Sequence, residues 1–223
     1  MIKRYRLTAL GAAAFLALGF AAWQAFWVPS AAQPAPSAVT RAQSIVGPFD
    51  RTMGSANAPV VLVEYAAPTC PYCAAFYLQY FQGLKTKYID TGKVRYVYRV
   101  FLIHSGDGPA EKLSRCLPVE HYFDLVGLLF RRQPQWDADE YPNIDMHDGL
   151  MAIAKEIGLP KDVAEKCMAS TALDRQLNQV SEEAEKKYKV NSTPTFLVNG
   201  VAGEGGEQWA HLEARLVAAS MAK

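Results

Sequence analysis

Ten residues, 58–67 (APVVLVEYAA), carry a single charge, and a Cys-Pro-Tyr-Cys tetrapeptide begins three residues after they end. A continuous, largely β-branched run of this length reads as a strand covered on both faces, so a layer of structure is expected on each side of it. Pro68 ends the run. Pro71 suits the first turn of a helix, where its missing N–H is not needed. The junction therefore calls for a buried strand that passes almost directly into a helix, with two thiols on the first helical turn.

Flanking patterns complete the architecture. Beyond Pro71, the residues Tyr77, Tyr80, Phe81, Leu84 and Tyr88 recur at helical spacing until 90–92 (DTG), where Gly92 suits a stop. Residues 93–103 read as a second strand with Val94, Tyr96 and Tyr98 on one face. From about 107 to 189 the period is helical, with helices predicted at 109–117, 119–131, 147–157, 161–168 and 172–188. GLP at 158–160 and STALD at 170–174 act as stop and cap signals. Asn199-Gly200 between two short apolar runs signals a hairpin. A last helix, 207–222, sets Trp209, Leu212, Leu216 and Ala219 on one face. A strand–helix–strand unit favours a parallel pair with a right-handed crossover, and the hairpin extends it antiparallel. The expected fold is α/β: a mixed central sheet flanked by helices, built from 45–104 and 190–223, with an all-helical insertion at 105–189.

A Cys-x-x-Cys can be half a zinc site, a haem attachment point, a structural clip or a redox dithiol. Zinc needs a second pair at matching spacing, whereas Cys116 and Cys167 are isolated and His104, His121, His147 and His211 are scattered. Haem attachment needs His after the second cysteine, and Ala74 stands there. A disulfide across four residues closes almost no loop and so stabilises little. Redox chemistry fits best, with no metal and no cofactor called for. A helix N-terminus lowers a thiol pKa because unpaired N–H groups and the macrodipole favour the thiolate. Cys70 is then the sulfur that attacks or is attacked, and Cys73, shielded one turn in, closes the ring. Pro71 and Tyr72 carry no charge, so they are expected to tune the thiolate through backbone geometry and packing. Glu64, six residues before Cys70, would have a raised pKa if buried and could pass protons to and from Cys73; a wet strand edge is the alternative. His104 reads as a satisfied structural histidine, the aromatic stripe 77–88 as core, and the charge run 181–189 as a solvated helix face.

The N-terminus speaks to location. Lys3, Arg4 and Arg6 precede 22 uncharged residues, 7–28. Signal-peptide cores run about 7–15 residues, and a membrane span needs about 20. Trp23 and Trp27 fit an interfacial belt, yet PSAA at 29–32 offers small residues for cleavage. Residues 1–28 are thus a signal anchor or a signal peptide, and either exports the body. Residues 29–44, rich in Pro, Ala and Ser, read as a semi-extended linker. Setting Lys3, Arg4 and Arg6 aside leaves 20 basic against 22 acidic residues. Nothing here holds a phosphate backbone, and nucleic acid is excluded.

Taken together, Cys70-Pro71-Tyr72-Cys73 after a strand, Glu64 upstream and NSTPTF at 191–196 resemble the DsbA-like branch of the exported, thioredoxin-fold thiol:disulfide oxidoreductases. The resemblance covers about residues 45–220. It implies that Pro194 is cis and faces the dithiol, and that Thr193 offers its backbone to a substrate strand, a mode with little side-chain selectivity. It further implies cysteine-containing exported proteins as substrates, a membrane redox partner, and a periplasmic site of action, tethered to the inner membrane if 7–28 is retained. Two residues depart from the best-known oxidases, which usually have His where Tyr72 stands and Val where Thr193 stands. Both look more like the isomerase/reductase branch, whose members dimerise through an N-terminal domain for which 1–44 is too short. The domain plan argues for an oxidase-like monomer and the dipeptide leaves direction open. A chaperone or binding module with an incidental dithiol is the reading of a different class. Cys116 and Cys167 form an even pair in an oxidising compartment. Similar extra pairs occur in some relatives, so a structural disulfide is expected, with two buried free thiols as the alternative.

Overall fold

A computed structural model of the chain describes residues 38–221. The export segment expected at 1–28 and the first part of the expected linker lie outside them. Among the described residues a five-stranded sheet comprises β1 (Arg51–Met53), β2 (Val60–Ala66), β3 (Val94–Val100), β4 (Thr195–Val198) and β5 (Val201–Ala202), in the order β1-β3-β2-β4-β5. β2 and β3 are parallel in a register that sets Ala66 beside Val100; the other pairs are antiparallel. The mixed sheet inferred from the strand–helix–strand pattern is thus present, with β1 as an edge strand that three half-buried residues gave no pattern to reveal.

All seven residues of β2 are buried, because both faces of the strand are covered. Val60, Leu62 and Ala66 pack in the core that holds Cys70, Cys73, Phe76, Phe81 and Leu84. Cys70 precedes and the others belong to α2 (Pro71–Phe76) and its unbroken continuation through a π-helical turn (Tyr77–Phe81), a short α turn (Gln82–Leu84) and a second π-helical turn (Lys85–Ile89). On the opposite face Val61, Val63 and Tyr65 pack with Val97, Phe101, Ala184 and Ala42. Ala42 lies in α1 (Ala38–Gln43), where the sequence reads as semi-extended linker. Tertiary contact overrides that composition. Ala42 is buried, Gln43 Nε2 donates to the Ala58 carbonyl (2.7 Å), and Arg95 Nη1 donates to Gln43 Oε1 (3.0 Å).

Between β3 and β4 the chain is helical: α3 (Asp107–Arg115), a 3₁₀ turn (Val119–His121), α4 (Tyr122–Arg131), α5 (Gln133–Trp136), α6 (Met146–Glu156), α7 (Lys161–Met168) and α8 (Thr171–Tyr188). These helices share a core of their own, with Leu113, Leu125, Leu129, Trp136, Leu150 and Ile153 at its centre. Ser170 caps α8 by accepting from the Leu173 N–H (3.3 Å), as STALD suggests. Cys116, just past α3, is joined in a disulfide to Cys167 in α7, with Cα atoms 6.0 Å apart. At the hairpin Asn199 and Gly200 both take left-handed backbone angles, φ 50° and 83°, the geometry that Asn-Gly adopts most readily. The Asn199 N–H donates to the Val61 carbonyl and the Val61 N–H to Asn199 Oδ1, each at 2.8 Å, so the tip is pinned to β2. The last helix, α9 (Trp209–Met221), buries Leu212 and Leu216 against the α2 side of the sheet.

Candidate active site

β2 ends where its last hydrogen bonds are made, and Pro68-Thr69 carries the chain into α2. Cys70 is the N-cap of that helix: its Sγ accepts from the Cys73 N–H (3.4 Å), a donor left unpaired by the helix start. The Thr193–Pro194 peptide bond is cis, and the Cys70 thiol donates to the Thr193 carbonyl at 3.4 Å. Both cysteines are free and buried.

The two thiols are driven apart. The Cys70 pKa is drawn down to about 6, chiefly by the Cys73 thiol donating to its thiolate. Burial opposes this, while the Thr193 side chain and the Cys73 and Tyr72 backbone N–H groups assist. Thr193 Oγ1 is buried and has no hydrogen-bond partner in the thiol form; toward a thiolate it is a donor. Burial pushes the Cys73 thiol well above its ordinary value, and the charges of Cys70 and Glu64 push the same way. Glu64 is 2% exposed, on the β2 face that meets α2, and accepts from the Tyr96 hydroxyl (2.6 Å). Desolvation raises its carboxyl to about 8, although the Tyr96 bond favours ionisation. It occupies the buried position, not the wet edge.

Two expectations are corrected here. The Tyr72 side chain is 74% exposed, so it does not pack on the thiols, and only its backbone N–H acts on Cys70. Nor is the aromatic stripe wholly core. Phe81 and Leu84 are buried, but Tyr80 is exposed and stacks on Trp209 with centroids 5.8 Å apart. Tyr72, Phe76, Tyr80, Pro194 and Trp209 line a groove of about 500 Å³ beside the dithiol.

Supporting residues escaped the sequence reading. Asp107, buried at the start of α3, accepts from Thr69 N (3.0 Å) and Thr69 Oγ1 (2.8 Å) through one oxygen, and from Ile103 N (2.8 Å) and His104 N (2.9 Å) through the other. It fixes the residue before Cys70. Gln133 Nε2 donates to the carbonyls of Pro68 (2.7 Å) and Cys70 (3.1 Å). In sequence Asp107 looks like a solvated turn residue (SGDGP), and nothing marks Gln133. His104, exposed, places Nδ1 3.1 Å from Thr69 Oγ1.

This sheet order, with a dithiol capping the helix after the central strand and a cis-proline loop opposite, defines the thioredoxin-fold class. The comparisons with known proteins are narrower. The thioredoxin family matches residues 48–217. A Rickettsia prowazekii protein named as a protein-disulfide oxidoreductase is 33% identical over 156 residues, 70% of this chain. The match spans 56% of that relative, so the chain covers little more than half its length. The crystal structure of Wolbachia pipientis α-DsbA1 is similar with a TM-score of 0.72 at 25% identity, covering 80% of this chain and 96% of that one. Bacillus subtilis BdbD shares the fold, with a TM-score of 0.65 at 21% identity over 77% of this chain and 92% of its own. The chain belongs to the thioredoxin family and is DsbA-like within it.

Proposed function

We propose that the protein is an exported thiol:disulfide oxidoreductase that introduces disulfides into cysteine-containing proteins. A substrate thiolate attacks Cys70 Sγ of the Cys70–Cys73 disulfide. Cys73 departs as thiolate and takes the proton that Glu64, its carboxyl held up chiefly by burial, can supply. A second substrate thiolate then attacks the substrate sulfur of the mixed disulfide, and Cys70 departs as thiolate. The substrate dithiol is oxidised and the enzyme disulfide reduced, so a membrane redox partner must restore it. Substrate docks extended against Thr193 and Pro194, beside the groove lined by Tyr80 and Trp209. Export rests on residues 1–28, and tethering to the inner membrane on 7–28.

One observation carries the oxidase direction: the Cys70 thiol is drawn down to about 6 while Cys73 is pushed up. Stabilising the thiolate stabilises the reduced enzyme, which makes the disulfide the stronger oxidant. The isomerase/reductase reading draws on Tyr72 and Thr193. It also draws on the thiol value, which lies nearer thioredoxin's pKa of about 7 than DsbA's of about 3.5. Trapping tests the shared chemistry. Cys73→Ser, whose Cys70 thiolate attacks the disulfide of an oxidised substrate protein and releases one substrate thiolate, should accumulate mixed disulfides on a non-reducing gel, and Cys70→Ser should form none. Equal trapping by both variants, or undiminished activity of Cys70→Ser, would sink the assignment of Cys70 as the exchanging sulfur.

A further inference from the structure

The exchange above provides for the proton of Cys73 but not for that of the substrate. Only a thiolate attacks a disulfide, and an ordinary cysteine with a pKa of about 8.5 is only a few per cent thiolate near neutral pH. A group that takes this proton must stand at the dithiol end of the sheet, be open to solvent and hold a lone pair. Glu64 and Tyr96 are buried, and the Asp107 carboxylate already accepts four hydrogen bonds. His104 meets all three conditions.

Its position follows from the sheet. β2 and β3 are parallel with Ala66 beside Val100, and Phe101 N donates to the Ala66 carbonyl (2.8 Å). The segment after β3 therefore emerges beside the segment that carries Cys70. His104 is exposed there, with Nδ1 3.1 Å from the hydroxyl of Thr69, the residue preceding Cys70.

The hydrogen inventory settles which ring nitrogen is free. The Thr69 hydroxyl has one proton, and it goes to Asp107 Oδ1 (2.8 Å). Asp107 also takes the Thr69, Ile103 and His104 N–H groups, so as a carboxylate it returns no proton. Thr69 Oγ1 can then only accept from the ring, and Nδ1 carries the hydrogen. In the neutral ring the lone pair is on Nε2, which has no hydrogen-bond partner among the described residues. Two carboxylates face this loop. Asp107 lies behind Thr69, and Asp139 accepts from Ser105 Oγ (3.0 Å) and Gly106 N (3.1 Å).

We propose that His104 is a catalytic base for the exchange, its Nε2 taking the proton of the incoming substrate thiol. The thiolate so formed attacks Cys70 Sγ, the Cys70–Cys73 bond breaks, and Cys73 is protonated from Glu64. The imidazolium gives its proton to water. No oxidant beyond the enzyme disulfide is needed. The proposal rests on the exchange reading, with His104 acting on the substrate and not on the couple itself.

Single-turnover reduction of the oxidised full chain tests it at about pH 6.5 with two thiols, an aliphatic one of pKa about 8.5 and an aromatic one already ionised. Both His104→Gln, whose amide can still donate to Thr69, and His104→Ala should react about tenfold more slowly with the aliphatic thiol, less than the usual general-base effect of about 10²–10⁴-fold because about 1% of this thiol is already ionised at that pH and needs no base. Neither should slow with the ionised thiol, and free imidazole should restore His104→Ala. Equal slowing with both thiols would make His104 only a holder of the Thr69 loop, and no slowing with either would remove it from the chemistry; both overturn the proposal. Failure of the unsubstituted protein to react with either thiol is a distinct result that sinks the exchange reading, and this proposal with it.

Discussion

Glu64→Gln isolates the buried carboxyl of β2. Glu64 is 2% exposed, and desolvation lifts its pKa from the ordinary 4.5 to about 8. The sign follows from proton uptake. Between those two values the unfolded chain has lost the proton and the folded chain keeps it, so stability falls as pH rises. At 1.36 kcal/mol per unit, the shift costs nothing well below pH 4.5, about 3 kcal/mol at pH 7 and about 4 kcal/mol at pH 8, where the folded group is half titrated. These are upper limits for the reduced protein, because the Cys70 thiolate contributes to the shift. Glutamine keeps the size, and its carbonyl can accept from Tyr96, but it does not titrate. Any cost of its own N–H groups is an offset independent of pH. Urea unfolding of both reduced proteins from about pH 5 to pH 8 should show the stability difference moving by several kcal/mol in favour of the variant as pH rises. A flat difference, or one that moves the other way, would refute the claim that this carboxyl is held protonated by burial.

Two other substitutions probe the site and its support. Thr193→Val removes the hydroxyl that favours the Cys70 thiolate; thiolate absorbance titration should show the Cys70 pKa rising by about one unit, the scale of a hydrogen bond to a charged group, and an unmoved titration would mean the backbone alone sets it. Replacing Cys116 and Cys167 with serine removes a cross-link over 51 residues, worth about 4 kcal/mol by loop entropy, so the urea midpoint should fall clearly; an unchanged midpoint would contradict a stabilising bond.

What the sequence revealed tracks how local the determining physics is. The strand into Cys70, the Pro71 helix and the Asn199-Gly200 hairpin are specified by neighbouring residues, and all three stand where the pattern puts them. Glu64 was legible because a carboxylate in an apolar strand is conspicuous. Asp107 and Gln133 were not, since their partners lie 38 and 65 residues away and neither residue type is unusual in its own segment. α1 escaped for the same reason: Ala42 is helical because it has a sheet to pack on, and 29–44 alone carries no apolar stripe. Tyr72 divides in two: of the expected backbone geometry and packing, the backbone N–H acts on Cys70, whereas the first turn of α2 leaves the side chain exposed and away from the thiols.

The direction of exchange turns on the reduction potential of the Cys70–Cys73 couple, measured by equilibration with glutathione buffers at neutral pH. With the Cys70 thiol near 6 and Cys73 raised, the account predicts a value clearly above thioredoxin's, which is about −270 mV, and on the side of DsbA's, about −120 mV. A potential at or below about −270 mV would contradict it, because the couple would then spend its cycle breaking disulfides instead of making them.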